Sequence, residues 1–185
     1  MKHLVSSQYL LSPWKNGRGV TAQIAIAPDH AIFPEDTFVW RLSTASFDSD
    51  GEFSLFPGYQ RKLIVWQEGL SLNGKALRPF EVLTFSGSEK KHARLSCSRM
   101  SDLGIIYREE DVQVEMQALQ HQAQGSQTLT LNQGTHFLFC ARGIVKVGEV
   151  ELGSQEVLMI ENSLSNCDLV LKSDAVLIRV TISKK

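Results

Sequence analysis

A chain of 185 residues with 19 Lys+Arg against 20 Asp+Glu carries a formal net charge of -1. Hydrophobic residues make up 43% and charged ones 21%, enough to bury a core, which excludes a disordered chain. No like-charge run exceeds three residues, and this balance excludes a general nucleic-acid or anionic-membrane surface, which needs a basic patch.

The length fits one compact domain, or two very small ones sharing a core. Cys97, Cys140 and Cys167 lie far apart without CxxC spacing; they read as buried, reduced thiols rather than a disulfide framework. The N-terminal MKHLVSSQYLLSPWKNG lacks a continuous apolar core, and no stretch approaches the length of a membrane span. A cytoplasmic protein is expected.

In chain order, Trp14-Lys15-Asn16-Gly17-Arg18-Gly19-Val20-Thr21 comes first. It mixes cations with an amide among glycines, which suits either a grip on a carboxylate or phosphate or simply a loop with two turns. Phe38–Phe47 reads as a strand with Arg41, Ser43 and Ala45 on one face and Trp40, Leu42 and Thr44 on the other. If Trp40 faces a core, Arg41 faces solvent or a barrel lumen, and in an ordinary sheet solvent is the default. Pro57-Gly58 suits a type II turn that delivers Arg61 to the strand Arg61–Gln67. Further strands are expected at Gly69–Leu72 and Val82–Phe85, with Asn73-Gly74 as a tight hairpin turn. Later ones are Val112–Ala118, Gln127–Leu131, Phe137–Cys140, Ile144–Val147, Glu156–Ile160, Asp168–Lys172 and Ala175–Ile182, with a second tight turn at Val147-Gly148-Glu149. Val112, Val114, Met116 and Ala118 alternate with polar residues, which favours a strand over a helix.

The segment Leu77–Phe85 aligns without gaps on Leu152–Ile160, sharing Leu and then Glu-Val-Leu, at an offset of 75 residues. LIVWQEG ending at Gly69 matches FLFCARG ending at Gly143 at an offset of 74. The repeat describes a duplicated small barrel or jelly roll, with unrelated hairpins of one larger sandwich as the alternative.

The histidines His3, His30, His92, His121 and His136 form no HxH, HxxxH or HxxE pair, so neither a metal nor another cofactor is expected. No GxSxG, Walker or GxGxxG motif is present.

PWKNGRGVT (Pro13–Thr21), FVWRLSTA (Phe38–Ala45), DGEFSLFPGYQRKL (Asp50–Leu63), Glu68-Gly69 and RMSDLGIIYR (Arg99–Arg108) together resemble the HutD/Ves family of the cupin superfamily. Arg18 stands where that family often has glycine, and Gly104 where asparagine is common. The resemblance implies an all-β, RmlC-like cupin jelly roll, duplicated as two packed small β-barrels, a bicupin. The expected halves are 1–108, with the ligand pocket, and 109–185, with strand exchange between them left open. It implies that Lys15, Asn16, Arg41, Ser54 and Arg61 point into the N-terminal barrel mouth, joined by Phe56 and Asp102 as ligand-binding residues. No catalytic residue is assigned. The resemblance associates the chain with histidine utilisation or environmental stress.

Three functions compete. In the first, a small carboxylate is held by Arg61, Arg41 or Lys15, with Phe53 or Phe56 covering its apolar part. In the second, a metal-free cupin enzyme acts on a small acid, with Asp102 or Glu68 as general base. In the third, filled barrels pair with a partner protein. The binding module is favoured, with a small-molecule partner, no nucleic acid or membrane partner, and a homodimer compatible with it.

Overall fold

A computed structural model describes residues 1–120, 127–161 and 165–185. His121 lies outside the described residues. The strands run β1 (Lys2–Leu4), β2 (Leu10–Pro13), β3 (Gly19–Ala27), β4 (Trp40–Phe47), β5 (Gly51–Glu52), β6 (Gln60–Val65), β7 (Leu70–Leu72), β8 (Lys75–Ala76), β9 (Leu83–Ser86), β10 (His92–Leu95) and β11 (Met100–Tyr107). They continue with β12 (Val112–Gln120), β13 (Gln127–Leu131), β14 (Thr135–Arg142), β15 (Val145–Val147), β16 (Val150–Leu152), β17 (Val157–Glu161), β18 (Ser165–Leu171) and β19 (Val176–Lys184).

The chain divides into two compact units. One is Tyr9–Val112; the other joins Met1–Gln8 to Gln113–Lys185. β1 pairs antiparallel with β17, Leu4 opposite Val157.

In the Tyr9–Val112 unit, a six-stranded sheet ordered β2-β3-β4-β11-β6-β9 faces a four-stranded sheet ordered β5-β10-β7-β8. Phe47, Leu63, Val65, Phe85 and Met100 from the first meet Leu70, Leu72 and Ala93 from the second in one buried cluster. The other unit repeats the plan with sheets β1-β17-β14-β19-β12 and β13-β18-β15-β16. Leu138, Cys140, Leu158 and Leu177 there pack against Leu129, Val145, Leu152 and Leu169. Each unit is therefore a two-sheet jelly roll with its core between the sheets, a solution in which period-two strands bury one face apiece.

The repeat is visible bond by bond. Phe80 N–H donates to Val65 O at 2.8 Å, and Gln155 N–H donates to Cys140 O at 2.7 Å. Phe80 and Gln155 both hold positive φ, 68° and 69°. Backbone strain at a bulky residue such as Phe80 hints at function, but its recurrence in the second unit makes it a property of the fold. Arg61 sits opposite Phe85 and Ile106, and His136 opposite Ile160 and Thr181. β6 and β14 thus correspond at 75 residues, one more than the glycine-anchored alignment predicts. The deletion falls between Cys140 and Gly143, where β14 carries a register shift.

The turns follow their chemistry. Asn73-Gly74 has φ of 50° and 80°, as a type I′ hairpin requires. Tyr59 N–H donates to Phe56 O at 3.1 Å with Gly58 at φ 84°, as a type II turn requires. β1, β2, β3, β5, β8, β10, β11 and β16 are absent from the strands expected from the sequence. A bulge between Gln23 and Ala25 breaks the alternation of β3, and Asp102 and Gly104 interrupt that of β11.

Candidate functional site

The six-stranded sheet aligns its interior residues in rows. Arg41 and Arg61 flank Ile106; Ser43 and Leu63 flank Gly104; Ala45 and Val65 flank Asp102. The β3 bulge restores the phase, so that Gln23 lies opposite Ser43 and Ile26 opposite Arg41.

Arg41 is 4% exposed. Its Nε donates to Gln23 Oε1 at 2.7 Å, and its guanidinium carbon lies 3.9 Å from the centre of the Phe33 ring. The lumen, not solvent, is therefore where this cation points. Arg61 is half-buried; Nη1 donates to the Ser54 carbonyl at 3.1 Å. Phe53, Phe56 and Phe85 surround its guanidinium at 5.1, 5.5 and 5.0 Å, distances at which a ring face attracts a cation. Burial lowers both arginines to about 10, with the Arg61 charge lowering Arg41 further and Asp102 partly offsetting the shift at Arg61. No acid lies within salt-bridge distance of either arginine among the described residues.

Asp102 is 6% exposed. Burial pushes its carboxyl up to about 7, against the opposing pull of Arg61 and of a backbone hydrogen bond at Ala45. Two poorly compensated cations and an acid that ionises reluctantly form an electropositive lumen, the arrangement that stabilises an incoming anion.

Of the other expected site residues, Phe56 is part of this cluster and packs 5.7 Å from Phe33. Ser54 contributes its carbonyl; its side chain is exposed. Lys15 and Asn16 lie on an exposed turn, where Asn16 Oδ1 accepts from Arg18 N–H at 3.0 Å. That turn leads into Gly19, opposite Phe47, six residues or about 20 Å along β4 from Arg41. It is closed by Trp14 stacked on Phe47 at 5.1 Å, and a Cβ at Gly19 would lie 2.6 Å from the Trp14 ring. The structure does not bring Lys15 and Asn16 to the arginine cluster. Glu68 is exposed and lines a separate cleft of about 360 Å³ with Leu77, Arg78 and Arg94.

Gln23 and Phe33 were not anticipated as site residues. Neither carries a local signal; the bulge and the pairing of β3 with β4 place Gln23 there. Among the described residues, no three His, Cys, Asp or Glu side chains converge as a metal site would need.

The duplicated fold supplies an internal comparison. At the position of Arg61 the second unit has His136, 1% exposed, with Nδ1 3.1 Å from Thr181 Oγ1 and Nε2 2.8 Å from Asn132 O. Leu177 stands for Asp102, and Arg179, bonded to Thr130 O at 3.2 Å, stands for Gly104. His136 and Arg179 bond to atoms of their own unit, whereas among the described residues no acid lies within salt-bridge distance of Arg41 or Arg61.

The HutD family model matches residues 6–178. The chain belongs to the HutD family. It is 32% identical over 171 residues to an uncharacterised 21.2 kDa protein in the hutC 3′ region of Pseudomonas putida, covering 86% of each chain. It is 38% identical over 104 residues to the protein Ves of Citrobacter koseri, covering 51% of each. The solved structure of HutD from Pseudomonas fluorescens SBW25 superposes with a TM-score of 0.78 at 28% identity, over 100% of this chain and 98% of that one. The duplicated jelly roll is the cupin fold expected from the resemblance.

Proposed function

We propose that the Tyr9–Val112 unit binds a small carboxylate in its lumen, and that this HutD-family protein is a binding or regulatory component linked to histidine utilisation. The observation that carries the reading is the pair Arg41 and Arg61, buried or half-buried cations turned inward with no acid in salt-bridge distance among the described residues. A planar guanidinium fork grips a carboxylate through two parallel hydrogen bonds, and Phe33, Phe53 and Phe56 offer apolar cover. The link to histidine utilisation is supported by the hutC-region relative and by the HutD name of the solved structure.

A thermal-shift screen against histidine-pathway acids and other small carboxylates tests it. A ligand at a hundred times its dissociation constant stabilises the fold by about 2.7 kcal/mol. No stabilisation by any carboxylate, with Arg61→Ala and the parent behaving alike, would refute it.

One observation favours an enzyme as second reading. A buried carboxyl raised to about 7 and opposed by the Arg61 charge has the profile of a general base working near neutrality. Turnover of a bound acid, lost in Asp102→Asn while binding persists, separates the second reading from the first.

A further inference from the structure

We infer that the bound carboxylate sits over Gly104, between the two arginines and Asp102, and that Asp102 enters the complex as the neutral acid, so that each ligand is taken up with one proton. The inference rests on the carboxylate-binding reading and adds to it the seat of the ligand and the group that selects for it.

Gly104 provides the seat. It lies in β11, with a neighbour on either side and ladder partners Ser43 and Leu63. Glycine in a strand interior weakens the strand, and it is retained where backbone must curve or where something approaches closely. Neither backbone nor crowding requires it here. Its φ is not positive, and a Cβ would meet only Leu63 Cδ1 at 3.6 Å and Lys62 O at 3.8 Å. Those are ordinary contacts. By contrast, Gly19 and Gly87 would clash at 2.6 and 2.2 Å. Gly104 is itself partly exposed and accommodates a Cβ without strain, so the interior face of the sheet is uncovered at this point, bounded along the strand by Asp102 on one side and by the Arg41–Ile106–Arg61 row on the other. Interior residues of a strand lie about 7 Å apart, so an atom over Gly104 is within reach of both. In the second unit the equivalent position carries Arg179, and no acid stands at the position of Asp102.

The proton follows from the neighbours. The charged group turned toward Asp102 is Arg61 from β6; Arg41 from β4 lies across Ile106 in the same row as Arg61 and feels the Arg61 charge. Ala45 and Val65 flank it directly, and the facing sheet presents Leu70, Leu72 and Ala93. Lys91 lies 5.3 Å from the far ring, Phe85. Arg61 is the charged group that favours the ionised form, alongside the backbone hydrogen bond at Ala45. A ligand carboxylate that engages Arg61 weakens this support and adds a like charge, and two carboxylates sharing a site do not both ionise. The acid left neutral donates a hydrogen bond to the ligand oxygen.

The test uses sodium acetate on the whole chain. Affinity is followed by NMR between pH 6 and 8.5, and proton uptake by calorimetry in two amine buffers of different ionisation enthalpy. Acetate stays ionised throughout this range. The expected result is a dissociation constant that rises above pH 7, approaching tenfold per pH unit, with close to one proton taken up per acetate at pH 8. Asp102→Asn keeps a donor and binds with pH-independent affinity and no proton uptake. Gly104→Leu loses acetate while keeping the parent circular dichroism, and Gly104→Ala, which fits the fold, weakens it. Acetate binding without pH dependence, or with a dependence that survives in Asp102→Asn, overturns the inference and leaves the carboxylate reading intact. Unchanged affinity in both Gly104 variants overturns the seat. Absence of acetate binding, together with a failed carboxylate screen, removes both.

Discussion

Asp102→Asn should change how the stability of the free protein depends on pH, without any ligand. The carboxyl is pushed from an ordinary value of about 3.9 up to about 7 by burial. A raised acid favours its protonated form in the fold, so its stabilising contribution is complete below the unfolded value and is lost as pH rises through about 7. Linkage over these two values gives a loss of about 2.6 kcal/mol between pH 5 and pH 8. Asparagine keeps an acceptor for the Ala45 hydrogen bond and does not titrate, so its variant lacks this loss. At 2–4 °C per kcal/mol for a chain of this size, the parent should lose about 5–10 °C more than the variant between the two pH values. Differential scanning calorimetry of both proteins cancels the contribution of every other titrating group. Parallel profiles would show that Asp102 is ionised as readily in the fold as in water, and the electrostatic account of the lumen would fail.

Arg61→Ala should leave the apo melting temperature nearly unchanged yet weaken carboxylate binding by about 2–5 kcal/mol, read by calorimetric titration. Gly87 N–H donates to Tyr59 O at 2.7 Å and its carbonyl accepts from Phe56 N–H at 2.8 Å. Gly87→Ala, placing a Cβ 2.2 Å from Phe56 O, should displace that turn and weaken binding as well as stability. His136→Ala strips Thr181 and Asn132 O of a buried partner and should cost about 1–3 kcal/mol, measured by urea unfolding. Burial raises the Cys140 thiol to about 11; it should resist iodoacetamide at pH 8 in the folded protein and react on denaturation.

Much of the architecture was legible because duplication leaves a pattern that survives without sequence identity. The Glu-Val-Leu match and the glycines at 69 and 143 mark positions where the backbone is constrained in both copies. A Cβ at Gly69 would lie 2.9 Å from Cys97, and one at Gly143 2.8 Å from Ala175. Among the longer strands missed, β3 is disturbed by its bulge and β11 by Asp102 and Gly104; of the others, β5, β8 and β16 are only two or three residues long. The cations Arg41 and Arg61 could be read because they interrupt apolar strands. The partners of Arg41 could not, since ladder register depends on a bulge whose position no local propensity fixes. The N-terminal β1 was equally hidden, because three residues acquire strand character only by pairing with β17.

The most direct measurement is a crystal structure of the protein grown with a saturating small carboxylate. The account predicts one carboxylate over Gly104, within hydrogen-bond distance of the Arg41 and Arg61 guanidiniums and of Asp102. A lumen filled by protein side chains, or a carboxylate bound only away from both arginines, would contradict it.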